Sequence, residues 1–214
     1  SDLAAKYAAK ADKQLIGVNV GRLGFAADVE PHEYEQLERL ITGDYTTEER
    51  ILLDVEVIKD DGSKHYLAVN DAVVARGQLS KTIDLHLTLD GDEISKYRAD
   101  GLLFATPTGS TAYSLSAGGP ILAPKMECIL MTPVCPHSLF SRSVLFSGES
   151  ELSVHVKIPE ECCCVLTIDG EKNVPVLATD RVVIRKSDLK LKLALLHNRN
   201  FYKLLNEKLK ERDF

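Results

Sequence analysis

Residues 106–120 read T-P-T-G-S-T-A-Y-S-L-S-A-G-G-P, a stretch dense in small and hydroxyl-bearing side chains. The apolar run Gly101–Ala105 comes just before it and has the length and composition of a buried strand. Pro107 and Gly109 predict a turn, and the Ser and Thr that follow suit the N-cap of a short helix, which the final Gly-Gly-Pro ends. Free N–H groups at such a helix start favour phosphate or ribose. Judged by composition alone, an ordinary strand-to-helix connection is about as well supported as a site for phosphate or ribose.

Composition places the chain among globular proteins and excludes several classes of partner. Of its 214 residues, 44% are hydrophobic and 27% are charged, with a formal net charge of −6. An acidic balance argues against nucleic acid as a partner. No apolar run approaches the roughly 20 residues that span a bilayer, and no signal peptide begins the chain, so we expect a cytoplasmic protein without a membrane partner.

The five cysteines argue against both disulfides and a metal site. They are Cys128, Cys135 and the consecutive Cys162-Cys163-Cys164. An odd number with three adjacent members does not form a disulfide framework, and free thiols fit a reducing cytoplasm. The triple also lacks the spacing of zinc ligands. We therefore assign no metal ligand.

The first 45 residues have the pattern of the last part of an α/β unit. Ser1–Lys13 is rich in Ala and Lys and predicts a helix, and Leu15–Val20 predicts a parallel strand. The glycine-flanked turn Gly21–Phe25 follows at the carboxyl edge of that strand, where α/β proteins bind ligands. A second predicted helix, through about Thr42, carries an apolar stripe of Tyr34, Leu37, Leu40 and Ile41.

From residue 46 onward the sequence changes to short alternating strands. Asp60-Asp61-Gly62 and Asp90-Gly91-Asp92 are typical hairpin turns between such strands. We predict a β-sandwich-like domain over residues 46–198. A final helix over residues 199–214 is predicted to pack back on the α/β part. The predicted fold is an incomplete α/β part followed by an all-β sandwich-like domain, α+β overall.

Four blocks of sequence, in order, resemble the NAD kinase family. They are Gly21-Arg22-Leu23-Gly24-Phe25, Ala99-Asp100-Gly101-Leu102, the stretch 106–120, and Pro133–Leu139 with Ser141-Arg142-Ser143. Members of this family transfer a phosphoryl group to the 2′-hydroxyl of the adenosine ribose of NAD. The four blocks cover most of the chain and are far more specific than one glycine-rich loop.

The resemblance implies a set of NAD-binding residues. It implies that Phe25 lies against the adenine and that Asn70 and Asp71 contact adenine and ribose, although the family usually has Asn-Glu there. Asp100 is implied near the nicotinamide half. The other implied NAD-binding residues are Arg98, Thr108, Thr111, Ala112, Tyr113, Ser114, Leu115, Ser116, Cys135, His137 and Glu171.

Several of these residues have plainer structural explanations. Phe25 and Tyr113 taken alone are typical core aromatics, and Asn70-Asp71 is also a common strand-end turn. Arg98 also suits a phosphate or a carboxylate of a neighbouring subunit. Cys135 and His137 are not interpreted as a nucleophile and base, because alternate residues on an extended segment share a face without touching.

The general base of the family is not found in this sequence. NAD kinases resemble one another in a loop of G-G-D-G followed by Thr or Ser, whose Asp is the proposed base. No such string occurs here, and Ser1–Lys13 aligns with the helix just after that loop. We therefore assign no catalytic residue and expect the base in an N-terminal segment that the sequence lacks.

The resemblance predicts an NAD kinase that uses ATP, or inorganic polyphosphate, with a divalent cation such as Mg²⁺ to make NADP. It also implies a homodimer or homotetramer. Two alternatives remain at this point: a non-catalytic module that binds NAD or NADP, and a lipid or sugar kinase of the same architecture.

Overall fold

The structure is a computed structural model, and it describes residues 2–19, 28–77, 82–138, 141–158, 164–197 and 200–212. The predictions made for Gly21–Phe25, including the adenine contact of Phe25, lie outside the described residues. Cys162 and Cys163 also lie outside them. Cys128 and Cys164 are buried, and Cys135 is exposed.

The N-terminal part begins with the predicted helix and a short parallel strand. Helix α1 spans Asp2–Lys10, and strand β1, Gln14–Leu15, pairs in parallel with β13, Arg181–Leu195. Ala5 and Ala9 of the helix pack on Leu191 and Leu193 of β13. The small side chains of α1 thus let the helix lie closely on the sheet, which explains its Ala-rich sequence.

The second predicted helix differs in type and in what it buries. Residues Pro31–Glu38 form a 3-10 helix, and α2 covers only Arg39–Thr42, ending at Gly43 with φ +74°. Tyr34 and Ile41 are exposed whereas Leu37 and Leu40 are half-buried, so the described residues cover only part of the predicted apolar stripe. Without a packed face, a short helix gains little to hold regular α geometry.

The first sheet contains seven strands among the described residues, antiparallel except for β1. In spatial order they are β3 (Gly62–Ala68), β2 (Thr46–Lys59), β13, β10 (Leu152–Lys157), β5 (Ile83–Leu89) and β6 (Asp92–Ala99), with β1 beside β13.

The second sheet contains six antiparallel strands within the same ranges. In spatial order they are β12 (Lys172–Val176), β11 (Cys164–Ile168), β4 (Asp71–Arg76), β7 (Gly101–Ala105), β8 (Cys128–Val134) and β9 (Val144–Ser147). A 3-10 turn, Gly109–Thr111, and the short helix α3, Tyr113–Ser116, follow β7. Helix α4, Phe201–Arg212, is the last element.

The inner faces of the two sheets form one hydrophobic core, as expected for a β-sandwich. Val55 and Leu87 of the first sheet share it with Val74, Phe104 and Met131 of the second. Along β4 the alternation sends Ala72 and Val74 to this core and leaves Asp71, Val73 and Ala75 on the outer face. The predicted sandwich-like fold is confirmed. Asp71, Val73 and Ala75, on the outer face of β4, are the residues of this strand that a ligand could contact.

The strand predictions hold closely, except that the predicted parallel strand Leu15–Val20 is shortened to β1, Gln14–Leu15. The hairpins at Asp60–Gly62 and Asp90–Asp92 form as predicted, and Asp90 takes the left-handed conformation at φ +51°. Strand β13 is one long strand with an irregularity between Lys186 and Lys190. The division into segments 1–45, 46–198 and 199–214 stays a prediction. Among the described helices, none has the length and apolar character to cross a bilayer.

Candidate functional site

A pocket of about 420 Å³ opens on the outer face of the second sheet. It lies where the carboxyl end of β11, the start of β4 and the start of α3 meet. Its walls come from these elements and from the turns at their ends: Asn70, Asp71, Val73, Ala75, Ala112, Tyr113, Thr167, Asp169 and Gly170. The pocket thus combines an apolar side with a polar end, the usual composition of a small-molecule site.

Main-chain contacts join the signature stretch 106–120 to the polar end of the pocket. The N–H of Thr106 donates to the carbonyl of Asn70 at 2.9 Å, and the Thr106 hydroxyl donates to the carbonyl of Val69 at 2.7 Å. The same hydroxyl accepts the N–H of Gly109 at 3.0 Å, and Gly109 lies against the main chain of Asn70. The turn after β7 therefore has a fixed position relative to Asn70.

The hydroxyls of the signature divide into an inward and an outward group. Ser110 is buried, donates to the carbonyl of Pro107 at 2.7 Å and accepts the N–H of Leu122 at 3.0 Å. Ser114 is also buried, with its Oγ 3.3 Å from Oγ1 of Thr132. These two hydroxyls hold the motif together rather than face the pocket.

Two further hydroxyls of the signature are engaged locally. The Thr111 hydroxyl donates to the carbonyl of Thr108 at 3.2 Å, and Thr108 Oγ1 accepts from the guanidinium of Arg50 at 3.3 Å. Burial lowers the pKa of Arg50, against the opposing charge of Glu48. Arg50 therefore connects β2 to the signature turn.

Three predicted residues of the signature remain open to solvent. Ala112 and Tyr113 line the pocket, and Tyr113 is 49% exposed. Ser116 is exposed on α3, whereas Leu115 is half-buried. Of the predicted residues in this stretch, the structure thus brings Ala112 and Tyr113 to the same pocket as Asn70 and Asp71.

The side chains of Asn70 and Asp71 offer polar groups to a ligand. Among the described residues, nothing hydrogen-bonds the side-chain amide of Asn70 or the carboxylate of Asp71, and both line the pocket. Asp71 is only 4% exposed. Burial raises its pKa to about 6, and the negative charges of Asp169 and Asp2 add to the increase. Such a group is poised to interact with a hydroxyl or amine of a ligand.

Asp169 belongs to the pocket although the sequence analysis did not assign it there. The resemblance implied Glu171, which the structure places exposed in the same turn. The Asp169 carboxylate instead accepts main-chain N–H groups of residues 69–71. The Asp-Gly pair between strands was a signal for the turn, but no sequence pattern indicated these contacts.

Asp100 lies at the opposite end of β4 from Asp71. Ala75 of β4 pairs with Gly101, so Asp100 is about five strand steps, roughly 17 Å, from Asp71. Its Oδ1 accepts from Nε of Arg76 at 2.8 Å, and its N–H donates to the carbonyl of Val134 at 2.9 Å. An acidic group thus lies near each end of β4.

The remaining predicted residues lie near Asp100 rather than near the pocket. The N–H of His137 donates to the carbonyl of Arg98 at 2.9 Å, and Cys135, which is exposed, takes a positive φ of 46°. The Arg98 guanidinium forms a two-pronged ion pair with Asp84 of the same chain, with Nε 3.0 Å from Oδ1. That pair lowers the pKa of Asp84, chiefly through the hydrogen bond.

Comparison with known proteins agrees with this architecture. Residues 69–196 match the model of the ATP-NAD kinase C-terminal domain. An NAD kinase of Natranaerobius thermophilus is 40% identical over 208 residues, which cover 96% of this chain and 72% of the relative. An NAD kinase of Magnetococcus marinus is 40% identical over 199 residues, covering 91% and 65% respectively.

Two solved structures share the fold. Yeast NADH kinase complexed with NADH superposes with a TM-score of 0.82 at 29% identity, covering 92% of this chain and 59% of that one. An NAD kinase from Archaeoglobus fulgidus in complex with ATP gives a TM-score of 0.77 at 27% identity, covering 92% and 74%.

The sandwich fold, the pocket and these matches define the class of protein as a phosphotransferase enzyme. More narrowly, the chain belongs to the NAD kinase family, and its function is accordingly that of an NAD kinase. The resemblance noted in the sequence is confirmed, and the matches do not favour a non-catalytic module or a lipid or sugar kinase. The chain spans 72% of the length of the first relative and 59% of the yeast structure.

Proposed function

We propose that the pocket between β4, β11 and α3 binds the adenosine half of NAD. One observation carries this proposal: Asn70, Asp71, Ala112 and Tyr113, which come from separate sequence blocks, line a single pocket. This pocket lies within the region that matches the family, and the similar yeast enzyme is complexed with NADH. The apolar wall of Val73, Ala75 and Ala112 suits a purine face, and the polar end suits a ribose.

The residues of this end would orient the ribose for phosphoryl transfer. The Asn70 amide can both donate and accept, and the Asp71 carboxylate can accept from ribose hydroxyls. Phosphoryl transfer depends mainly on holding the attacking 2′-oxygen in line with the donor phosphate. ATP, or inorganic polyphosphate, supplies that phosphoryl group in the proposal, and NADP is the product.

Asp100 would interact with the nicotinamide half at the other end of β4. The nicotinamide ring of NAD carries a positive charge, which an acidic group attracts. The other assignments that rest on the resemblance stay predictions: Arg98, Thr108, Thr111, Ser114, Leu115, Ser116 and Glu171. Cys135 and His137 lie exposed beside the Asp100 end. We propose that this part of the surface contacts a second subunit in a cytoplasmic homodimer or homotetramer.

We assign neither the general base nor a ligand of the cation to any residue of this sequence. No G-G-D-G string occurs in the sequence, so we assign the base to residues beyond it. The described residues include no cluster of three potential metal ligands, and both oxygens of Asp169 already accept hydrogen bonds. Mg²⁺ in such reactions binds largely to phosphate oxygens and water, so no residue here is assigned to it.

Calorimetric titration of NAD into the chain and into Asn70→Ala tests the proposal. Loss of the amide is expected to weaken NAD binding by about 1–3 kcal/mol, because it leaves buried ligand atoms without a partner. Asn206→Ala, the same change at an exposed position of α4, is the matched control and should bind as the parent does. An unchanged dissociation constant for a folded Asn70→Ala would remove Asn70 from the site.

An assay for NADP formation with ATP and Mg²⁺ tests the placement of the base. Saturable NAD binding without NADP formation by these 214 residues would support a base outside them. Clear turnover would overturn that assignment and direct attention to Asp71 or Asp100.

A further inference from the structure

The carboxylate of Asp169 binds three consecutive main-chain N–H groups. Its Oδ1 accepts from Asn70 at 2.7 Å and from Asp71 at 3.1 Å, and its Oδ2 accepts from Val69 at 3.0 Å. The side chain has no exposed surface. Hydrogen bonds from several N–H groups to a buried carboxylate are stronger than neutral ones, so this contact fixes residues 69–71 tightly.

Further contacts fix the same residues from two other directions. The N–H of Asp169 donates to the carbonyl of Asp71 at 2.9 Å, so donor and acceptor groups of the two segments interlock. On the other side, Gly109 lies against the main chain of Asn70. The link between β3 and β4 is therefore held between the β11–β12 turn and the signature turn. Its side chains at Asn70 and Asp71 are the ones that line the pocket.

Lys6 of helix α1 balances the charge of Asp169. Its Nζ lies 2.6 Å from Oδ2, and the lysine side chain is only 16% exposed. Three acidic groups, Asp2, Asp71 and Glu171, also act on this region. A buried negative charge among acidic neighbours is costly unless a cation lies beside it. Lys6 supplies one, and it connects α1 to the floor of the pocket.

We propose that Asp169 is a positioning residue for NAD, which holds Asn70 and Asp71 in their binding geometry through residues 69–71, with Lys6 as its counter-ion. This inference rests on the proposed function of the pocket. Asp169 acts through Asn70 and Asp71 and is not assigned a chemical step.

The same chemistry elsewhere in the chain provides a matched control. Asp180 is buried, accepts the N–H of Leu177 at 2.9 Å and pairs with Lys59 at 2.5 Å. It lies in the turn before β13 and is not part of the pocket wall. Asp180→Asn and Lys59→Met therefore remove a comparable buried ion pair without touching residues 69–71.

The experiment compares Asp169→Asn and Lys6→Met with these two controls in the full-length enzyme. It measures the NAD dissociation constant, the KM for NAD, kcat and the free energy of unfolding. For Asp169→Asn we expect the dissociation constant and KM to rise together by about tenfold with little change in kcat, since displaced binding groups cost affinity. Lys6→Met should give a smaller rise, about threefold, because the three N–H contacts remain.

The outcomes separate this inference from the proposed function. Parent protein that does not bind NAD would overturn the proposed function itself. Parent protein that binds NAD, with Asp169→Asn matching Asp180→Asn in both stability and NAD affinity, would overturn the positioning role alone. If Asp169→Asn does not fold, Lys6→Met decides: a raised KM that Lys59→Met does not share supports the role, and an unchanged KM contradicts it.

Discussion

Gly109 lies so close to Asn70 that no larger residue fits at its position. A Cβ built on Gly109 would be 2.0 Å from the carbonyl oxygen of Asn70 and 2.7 Å from its Cα. Both neighbours are main-chain atoms, which cannot turn aside as a flexible side chain can. The contact joins two sequence blocks that are far apart along the chain and sets the distance between Asn70 and the pocket-lining residues Ala112 and Tyr113.

Gly109→Ala should therefore lower both stability and NAD affinity. Forcing the turn away from Asn70 is expected to cost about 3 kcal/mol of unfolding free energy, at the upper end for overpacking. Gly118→Ala is the control in the same stretch, because it has open space but a φ of +86°. It should cost about 1 kcal/mol through backbone strain and leave NAD affinity unchanged. Denaturant unfolding and calorimetry measure both effects; equal losses of affinity would contradict the prediction.

Replacement by alanine should affect stability at one serine of the signature and NAD affinity at another. Ser110→Ala removes the acceptor for the buried N–H of Leu122 and should cost about 1–3 kcal/mol of stability. Ser116→Ala changes an exposed hydroxyl and should alter stability by less than about 0.5 kcal/mol. If Ser116 contacts the ligand as the resemblance implies, its variant loses NAD affinity instead. Thermal unfolding with and without NAD distinguishes the two; a destabilised Ser116→Ala with parental affinity would contradict the prediction.

Local signals in the sequence predicted most of the fold. The Asp-Gly turn at residues 90–91 and the alternation of strands such as β4 depend on neighbouring residues, so the sequence alone indicates them. The helix over residues 30–42 was predicted less well. Its apolar stripe indicated a buried face, but Ile41 is exposed, and a helix of this length depends on tertiary contacts that its own residues do not specify.

The candidate site was predictable only where residues belong to a recognisable block. Asn70, Asp71, Ala112 and Tyr113 were assigned by resemblance, and the structure brings them to one pocket. Asp169 was missed because its partners are main-chain groups about a hundred residues earlier in the chain. Every residue other than proline has such an N–H group, so no sequence pattern indicates these contacts. Likewise, the sequence could not show that Ser114 faces inward, since helix phase in so short an element depends on its packing.

Asp100 should affect NAD binding without affecting stability. Its ion pair with Arg76 is partly exposed, so Asp100→Asn should change the unfolding free energy by less than about 1 kcal/mol. We expect NAD affinity to fall about tenfold, because the variant loses the charge that is proposed to lie opposite the nicotinamide ring. Asp44→Asn breaks a similar partly exposed pair with Arg39, also at 2.8 Å, and serves as the control. Parental NAD affinity in Asp100→Asn would remove this residue from the site.

Asp71→Asn should stabilise the protein at neutral pH while it weakens NAD binding. The pKa of Asp71 is raised from 3.8 to about 6, so the folded state resists its ionisation. A raised carboxyl pKa contributes stability below about pH 4 that is lost as the pH rises through about 6. Removing the charge should therefore stabilise the chain by about 1–3 kcal/mol at pH 7.5, and the gain should vanish near pH 3.5.

Denaturant unfolding of parent and Asp71→Asn between pH 3.5 and 7.5 measures this gain, and calorimetry at pH 7.5 measures NAD affinity. Asp180→Asn is the control of opposite sign, since its buried carboxylate pairs with Lys59 and its loss should destabilise the chain at pH 7.5. A pH-independent difference between parent and Asp71→Asn would show that Asp71 ionises normally. A stabilised variant with weaker NAD binding would mean that the fold tolerates an unfavourable buried charge at the position where the ribose is proposed to bind.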